Sequence, residues 1–249
     1  RDEANQGDVI TLFYKDQNER VERQTGFMNP IAPADVEEVL DFDAFVCVPI
    51  TDFEVPLATL QHIKARSEGI VVLDAHGPTN VCTRHGQRAL KLWIERDLWL
   101  PHIDILKMNL DEAGCCWFGN DYDEETLGGI GALPREDLPK LAAYCLERGV
   151  KAVYVTLDAD GCAVYFRAPD GTLEEHVVGC IPVENVVDTT GCGDSFAGGL
   201  AFGYLKTGDY VAACRYANAA GAQRCTSTEL DVYRDLAGTE RQIAETYGS

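Results

Sequence analysis

The chain has 249 residues, of which 46% are hydrophobic, enough for one sizeable core but too few for two full domains. It carries 41 acidic and 21 basic residues, and this net charge of −20 disfavours nucleic acid and anionic membrane surfaces as partners. No run approaches the roughly 18 apolar residues of a membrane span. Because the surface repels anions at long range, a phosphate site must rely on local N–H groups and a divalent cation.

The cysteines indicate a reducing compartment. The ten cysteines form no CxxC pair and no metal-ligand spacing with the five histidines, which argues against zinc. Most lie in apolar runs, as Cys47 does, and are typical of small buried side chains. Residues 1–8 resemble neither a signal peptide nor an anchor, so we expect an untargeted, cytoplasmic protein.

The first predicted elements are two short β-prone runs, 9–14 and 20–25, separated by the polar residues 15–19. Their weak alternation and polar surface indicate a hairpin that acts as a lid rather than a core element. We therefore predict a partial β lid over residues 1–29 and an α/β domain over residues 30–249. The lid also offers a contact for a homodimer, but the residues of 9–25 do not by themselves show whether such a dimer forms.

After residue 30 the pattern alternates between strands and helices. The predicted helices are 33–40, 56–67, 83–95, one starting at 110, 136–148, 195–206, 210–225 and 230–246. The predicted strands are 44–48, 70–74, 103–108, 152–157 and 162–167, with a further strand-like run at 181–187 and an acidic, glycine-rich loop at 119–131. Strands that are apolar on both faces are typical of a mostly parallel sheet covered by helices, so the class is α/β.

The most informative segment is Asp-Thr-Thr-Gly-Cys-Gly-Asp at 188–194, between a strand-like run and a helix. Gly191 and Gly193 allow close approach of the backbone to a ligand, and the free N–H groups of the helix start favour an anion. Asp194 falls in the first turn, beside the bound anion, where it can accept a proton. Asp188 can order the turn through its side chain.

Three further segments are candidates for the site. Asn109 and Glu112 follow a strand, and their spacing fits an N-terminal capping box as well as a ligand site. Thr156 and Gly161 flank an acidic turn, which by itself is an ordinary hairpin turn. Asn218 lies among small residues in the penultimate helix, where plain helix packing is the simpler interpretation. His76, which follows another strand, is a weaker candidate since solvated loop histidines are common.

In this order and at these intervals, the four segments resemble the ribokinase-like superfamily, the phosphofructokinase B family of carbohydrate kinases. The family's signature is matched by residues 188–194, with Cys192 in place of the usual alanine, and its Asn-x-x-Glu motif is matched by Asn109 and Glu112. The resemblance implies a ribokinase-like three-layer α/β/α fold with a small β lid.

The resemblance also implies roles for the site residues. The turn formed by Thr190, Gly191, Cys192 and Gly193 would be the anion hole for the transferring phosphoryl group, and Asp194 the general base. Asn109 and Glu112 would organise Mg²⁺ through water around the ATP phosphates. Thr156 and Gly161 would line the nucleotide loop, and Asn218 would lie near the adenine. Some members hold a monovalent cation such as K⁺ beside the loop that starts at Asp188.

The sequence departs from the family pattern at three places. It lacks the opening strand and the Gly-Gly-x-x-x-Asn segment with which members grip the sugar. The usual Asp-x-Asn-x-Arg run reads Asp74-Ala75-His76-Gly77-Pro78, which weakens a fructokinase-like assignment, and the usual glycine of the nucleotide loop is Asp158.

The leading hypothesis is an ATP-dependent, Mg²⁺-requiring kinase acting on a hydroxymethyl group of a sugar or sugar-like compound. A nucleoside kinase of the same superfamily is the nearest alternative. A catalytically silent nucleotide-binding regulator is a third, which the intact Asp194, Gly191 and Gly193 disfavour. A dinucleotide-dependent oxidoreductase is excluded, since no Gly-x-Gly-x-x-Gly follows an early strand.

Overall fold

The computed structural model describes residues 7–14, 20–118 and 131–248. Its strands are β1 Val9–Tyr14, β2 Arg20–Gly26, β3 Ala44–Cys47, β4 Ile70–Asp74, β5 Asn80–Cys82, β6 Arg88–Leu90, β7 Ile105–Asn109, β8 Ala152–Thr156, β9 Cys162–Arg167 and β10 Leu173–Val178. Its α-helices are α1 Leu57–Arg66, α2 Arg96–Trp99, α3 Leu110–Cys116, α4 Leu138–Glu147, α5 Cys192–Thr207, α6 Tyr210–Arg224 and α7 Leu236–Tyr247. Short 3-10 turns occupy Pro33–Val39, Leu100–His102, Arg135–Asp137 and Asp158–Asp160.

The central sheet has six strands in the order β10-β9-β8-β7-β4-β3. The pairs β3/β4, β4/β7 and β7/β8 are parallel, while β8/β9 and β9/β10 are antiparallel. The predicted α/β class and mostly parallel sheet are therefore confirmed. Because parallel strands end at one edge, the carboxyl ends of β4, β7 and β8 converge there, and this edge carries the candidate site.

Helices cover both faces of this sheet, as the alternating side chains of its strands require. Val71 and Leu73 of β4 belong to a core shared with α1, α3 and α4, whereas Val72 belongs to a core shared with α5 and α6. Both cores consist mainly of side chains that are almost fully buried. The three-layer arrangement places the ends of β4 and β7 beside the start of α5.

The region predicted as a helix at 83–95 is instead an antiparallel hairpin, β5–β6, followed by the short α2, so that prediction is wrong. Gly86 has a left-handed φ of +79°, and its N–H bonds to Thr83 O at 2.8 Å, which closes the turn. Gln24 N donates to Gly86 O at 2.8 Å. Docking on β2 therefore overrides the helical pattern.

The run at 181–187 forms no strand, which corrects a second prediction, and the strand at Leu173–Val178 was not predicted. The apolar Val186 and Val187 are exposed, and Val187 N donates instead to Cys225 O at 2.8 Å. β10 is an edge strand with one open side. Its polar residues Glu174, Glu175 and His176 interrupt the apolar pattern by which buried strands are predicted.

The remaining differences concern helix ends. The segment near 33–40 is a 3-10 helix, and the last helix begins at Leu236 because Asp235 caps it through a 2.7 Å bond from Gly238 N. The predicted turn at 15–19 and all but the last residue of the predicted loop at 119–131 lie outside the described residues. Within the described ranges, no helix combines the length and apolar character that crossing a bilayer requires.

Candidate active site

The glycine turn stands at the start of α5, where the sequence motif placed it. Gly191 caps the helix with a left-handed φ of +81°, which a side chain would strain, and a Cβ at this position would lie 3.3 Å from Arg224 Nε. Helix α5 begins at Cys192, and the backbone N–H groups in the first turn of a helix have no partner within the helix itself. The geometry is that of an anion-binding helix terminus.

The turn is anchored at its other end to the end of α6. Asp188 Oδ1 accepts from Thr190 N at 2.9 Å, and Asp188 Oδ2 lies 3.8 Å from Arg224 Nη2. Cys225 O accepts from Val187 N at 2.8 Å. Asp188 therefore orders the turn through its side chain.

Asp194 lies exposed in the first turn of α5. Within the described part of the chain, its carboxylate makes no hydrogen bond or ion pair, which distinguishes it from the buried acids of this region. An accessible carboxylate beside a glycine turn of this kind is suited to accept a proton from a bound hydroxyl.

A buried ion pair that the sequence reading missed lies beneath the turn. Lys107 Nζ on β7 donates to Asp74 Oδ2 at the end of β4 at 2.7 Å, and a Cβ on Gly193 would approach Lys107 Nζ to 3.2 Å. Burial alone would lower the pKa of Lys107, but the charges of Asp74 and Glu112 outweigh it and raise that pKa to about 12. A permanent positive charge thus sits under Gly193. The available signal was a lysine inside an otherwise apolar strand.

Asn109 and Glu112 form the capping box that their spacing allowed. Asn109 Oδ1 accepts from Glu112 N at 2.8 Å, while Glu112 Oε2 accepts from Asn109 N at 2.8 Å and Oε1 from Asn109 Nδ2 at 3.0 Å. Burial would raise the pKa of Glu112, but the hydrogen bond from His76 and the charge of Lys107 lower it overall. Glu112 is therefore held ionised with only 1% of its side chain exposed.

His76 joins this group, although its sequence signal was weak. Its Nδ1 lies 3.0 Å from Glu112 Oε1, and its backbone N donates to Asp74 Oδ1 at 3.1 Å. The ends of β4 and β7 thus bring Asp74, His76, Lys107 and Glu112 together.

Of the residues predicted to contact the nucleotide, Gly161 and Asn218 lie at the end of β10, whereas Thr156 lies at the end of β8. Thr156 Oγ1 donates to Met108 O at 3.4 Å, and Gly161, with φ +97°, packs so tightly that a Cβ would lie 2.1 Å from Val178 O. Asn218 is buried and donates to Gly179 O and Tyr247 Oη, each at 3.0 Å. Its amide nitrogen is therefore engaged by the protein itself.

The donor chemistry of this edge suits Mg²⁺, since oxygen ligands predominate. Among the described residues, no group of three or more His, Cys, Asp or Glu side chains is arranged to hold a metal directly. Glu112 already accepts three hydrogen bonds from protein groups, which leaves little of its lone-pair capacity. Asn109 and Glu112 are therefore better suited to orient the waters of a Mg²⁺ ion than to ligate the ion directly.

Comparison with known proteins identifies the family of this chain. The sequence model for "pfkB family carbohydrate kinase" matches residues 63–232, more than half of the chain, and the chain belongs to that family. The family predicted from the four motifs is therefore confirmed.

Individual relatives match over shorter segments. Ribokinase of Mus musculus is 42% identical over 105 residues, which cover 41% of this chain and 30% of that protein. The 2-dehydro-3-deoxygluconokinase of Bacillus subtilis is 34% identical over 131 residues, 52% of this chain and 37% of that protein. The matched segments thus span about a third of each curated relative.

A solved structure shows the same fold. Ribokinase of Arabidopsis thaliana, complexed with ribose and ATP, superimposes with a TM-score of 0.68 at 20% identity, covering 95% of this chain and 69% of that chain. At this identity the likeness shows the fold alone.

Proposed function

We propose that this protein is an ATP-dependent kinase that phosphorylates a hydroxymethyl group of a sugar or sugar-like compound. The single observation that carries the proposal is the exposed carboxylate of Asp194, without a partner among the described residues, beside the Gly191–Gly193 turn and with the Lys107 charge beneath that turn. Family membership and the kinases among the relatives support it.

In the proposed reaction, the acceptor hydroxyl lies against Asp194, which takes its proton as the phosphoryl group transfers. The N–H groups of Gly191 and Gly193 would hold the transferring group, whose charge Lys107 also offsets. The N–H groups of Thr190 and Cys192, predicted to share this role, already donate to Asp188 Oδ1 at 2.9 Å and to Thr189 O at 3.2 Å. Mg²⁺, when bound, neutralises charge on the ATP phosphates, and Asn109 and Glu112 would orient its waters. Asp188 would border a K⁺ site beside the same turn.

The β1–β2 hairpin is proposed as the lid over the acceptor, with residues 1–29 as the lid and 30–249 as the kinase domain. Tyr14 Oη lies 3.1 Å from Thr190 Oγ1, so the hairpin reaches the anion turn itself. A covering element of this kind excludes water from the reaction. Dimerisation through the hairpin stays a prediction, which light scattering tests.

The test is a coupled ATP-consumption assay on the full-length protein with Mg²⁺ and K⁺, across ribose, fructose, 2-keto-3-deoxygluconate, adenosine and inosine. Asp194→Asn should abolish nearly all turnover while ATP affinity stays within a few-fold, because the amide cannot accept the proton. Glu184→Gln, an exposed acid upstream of the turn, is the matched control and should keep full activity. Turnover that survives in Asp194→Asn would refute the role of this residue. Turnover on nucleosides alone would favour the nucleoside-kinase alternative.

A further inference from the structure

The side chain of Arg88 connects three separate parts of the molecule. It lies on β6 and is only 7% exposed. Its Nη1 donates to Glu22 Oε2 of the hairpin strand β2 at 2.5 Å, and its Nη2 donates to Ile50 O after β3 at 2.7 Å. The same Nη2 also contacts His76 Nε2.

Donor chemistry fixes the direction of these contacts. A guanidinium only donates, so His76 Nε2 must accept from Arg88, and the ring proton must therefore reside on Nδ1. His76 Nδ1 consequently donates to Glu112 Oε1 at 3.0 Å. The result is a continuous path of side chains from Glu22 through Arg88 and His76 to Glu112.

Both ends of this path have a place in the proposed reaction. Glu22 belongs to the hairpin that Tyr14 links to Thr190, and Glu112 belongs to the pair proposed to orient the waters of Mg²⁺. His76 also donates through its backbone to Asp74, the partner of Lys107. The position of the hairpin is thereby tied to the orientation of the Glu112 carboxylate.

Stability alone gives a weak reason for such an arrangement. A buried ion pair must offset the desolvation of both groups, and apolar side chains of similar volume often serve stability as well or better. A specific, directional chain that ends on a carboxylate is instead typical of partners that orient groups around a metal.

We propose that Arg88 and His76 are positioning residues, which hold Glu112 in its metal-orienting conformation only when the hairpin brings Glu22 against Arg88. The inference rests on the proposed function, whose Mg²⁺ pair it extends. The position of the hairpin and the binding of the metal near Glu112 are then coupled, so a change in either should change the other.

The first test measures metal binding rather than turnover. Mn²⁺ binding to the full-length protein with a non-hydrolysable ATP analogue is followed by electron paramagnetic resonance. Arg88→Met and His76→Leu should weaken Mn²⁺ binding by about tenfold, the lower end of the range for residues that support metal-orienting groups. His76→Gln should restore part of the affinity, since its amide can donate to Glu112 and accept from Arg88.

The matched control is Arg84→Met, an exposed arginine on the turn of the same β5–β6 hairpin. It should bind Mn²⁺ as the wild type does. If Arg88→Met lowers the melting temperature but keeps wild-type Mn²⁺ affinity, the role of Arg88 is only structural and the proposal is wrong.

The second test measures the coupling from the opposite end. Mn²⁺ and the ATP analogue should slow hydrogen exchange at the amides of β1 and β2 in the wild type, because coupling between two sites is reciprocal. Arg88→Met and Glu22→Gln should reduce this protection at least several-fold, and Arg84→Met should not. Equal protection in all four proteins would overturn the inference.

Failure of the proposed function gives a different pattern. A protein without turnover on any acceptor, but with Arg88-dependent Mn²⁺ binding and hairpin protection, would refute the kinase assignment and keep the coupling. A wild type that binds no Mn²⁺ with the nucleotide analogue would overturn the coupling as well.

Discussion

Asp158 is the one residue other than glycine, within the described ranges, that adopts a left-handed backbone, with φ +51°. It follows β8 in the turn that leads to Gly161, at the edge of the sheet that carries the candidate site. Aspartate tolerates this conformation better than most residues but still at some cost in energy. Its charge lies in the turn that is proposed to line the nucleotide.

Replacing Asp158 should separate these two effects. We expect Asp158→Gly to raise the free energy of unfolding by up to about 1 kcal/mol, because relief of the left-handed conformation outweighs the added freedom of the unfolded chain. Asp158→Asn keeps the conformational preference, so its stability should be unchanged. Both variants should bind MgATP several-fold more tightly through loss of the repelling charge. Urea unfolding and nucleotide titration measure the two quantities. Weaker ATP binding in both variants would mean that Asp158 contacts the nucleotide favourably.

The buried pair of Lys107 and Asp74 shows how single residues can be misread from the sequence. Lys107 stands in an apolar strand, where the sequence pattern gives it no role, yet its ammonium lies under Gly193. Only the neighbouring strand end explains the lysine, since Asp74 supplies the charge that makes its burial tolerable.

At the scale of elements, Asp104 joins helix α1 to the starts of β4 and β8. Its carboxylate, 2% exposed, accepts from Lys64 Nζ at 2.6 Å, from Val71 N at 2.9 Å and pairs with Lys151 Nζ at 2.9 Å. Burial would raise the pKa of Asp104, but the hydrogen bonds from Lys64 and Lys151 lower it overall. The carboxylate therefore stabilises the fold above its unfolded-state pKa, and this contribution is lost as pH falls through the native pKa.

Asp104→Asn should lower the free energy of unfolding at pH 7 by about 2 kcal/mol, the scale of hydrogen bonds to a charged group. The difference from the wild type should begin to shrink as pH falls below about 4, the usual pKa of aspartate in the unfolded chain, and should vanish as pH falls through the lower native pKa of Asp104. Asp137→Asn, in an exposed pair with Lys140, is the control and should cost less than about 0.5 kcal/mol. Urea unfolding at a series of pH values checks this. A pH-independent difference would show that packing, not charge, accounts for the loss.

At the scale of the whole molecule, the net charge of −20 dominates. Like charges repel in the compact state more than in the unfolded chain, so screening should favour folding. Raising NaCl from about 0.1 M to about 1 M shortens the screening length from roughly 10 Å to roughly 3 Å. The acidic surface thus predicts stability that increases with ionic strength.

We expect the melting temperature to rise by roughly 3 °C or more over this range of salt, corresponding to about 1 kcal/mol for a chain of this size. Scanning calorimetry in NaCl, KCl and tetramethylammonium chloride at equal ionic strength tests the cause. Equal rises in all three salts indicate general screening. A rise confined to KCl would contradict it and would support the K⁺ site proposed beside Asp188.

Much of this protein follows from the sequence by itself. Runs that are apolar on both faces predicted the parallel strands, and residues 188–194 predicted a glycine turn at the start of α5, because local conformation determines both. The spacing of Asn109 and Glu112 likewise indicated the capping box that these two residues form. These are local features, which neighbouring residues decide.

Tertiary structure alone decided what depends on distant partners. The 83–95 segment is a hairpin because Gly86 bonds to Gln24 of β2, a contact that no local pattern contains. The same docking places Arg88 between Glu22 and His76, and the adjacent ends of β4 and β7 place Lys107 against Asp74. A buried charge is costly unless an oppositely charged or hydrogen-bonding group lies beside it. For these residues that group comes from a distant part of the chain, so their roles can be assigned only from the assembled sheet and hairpins.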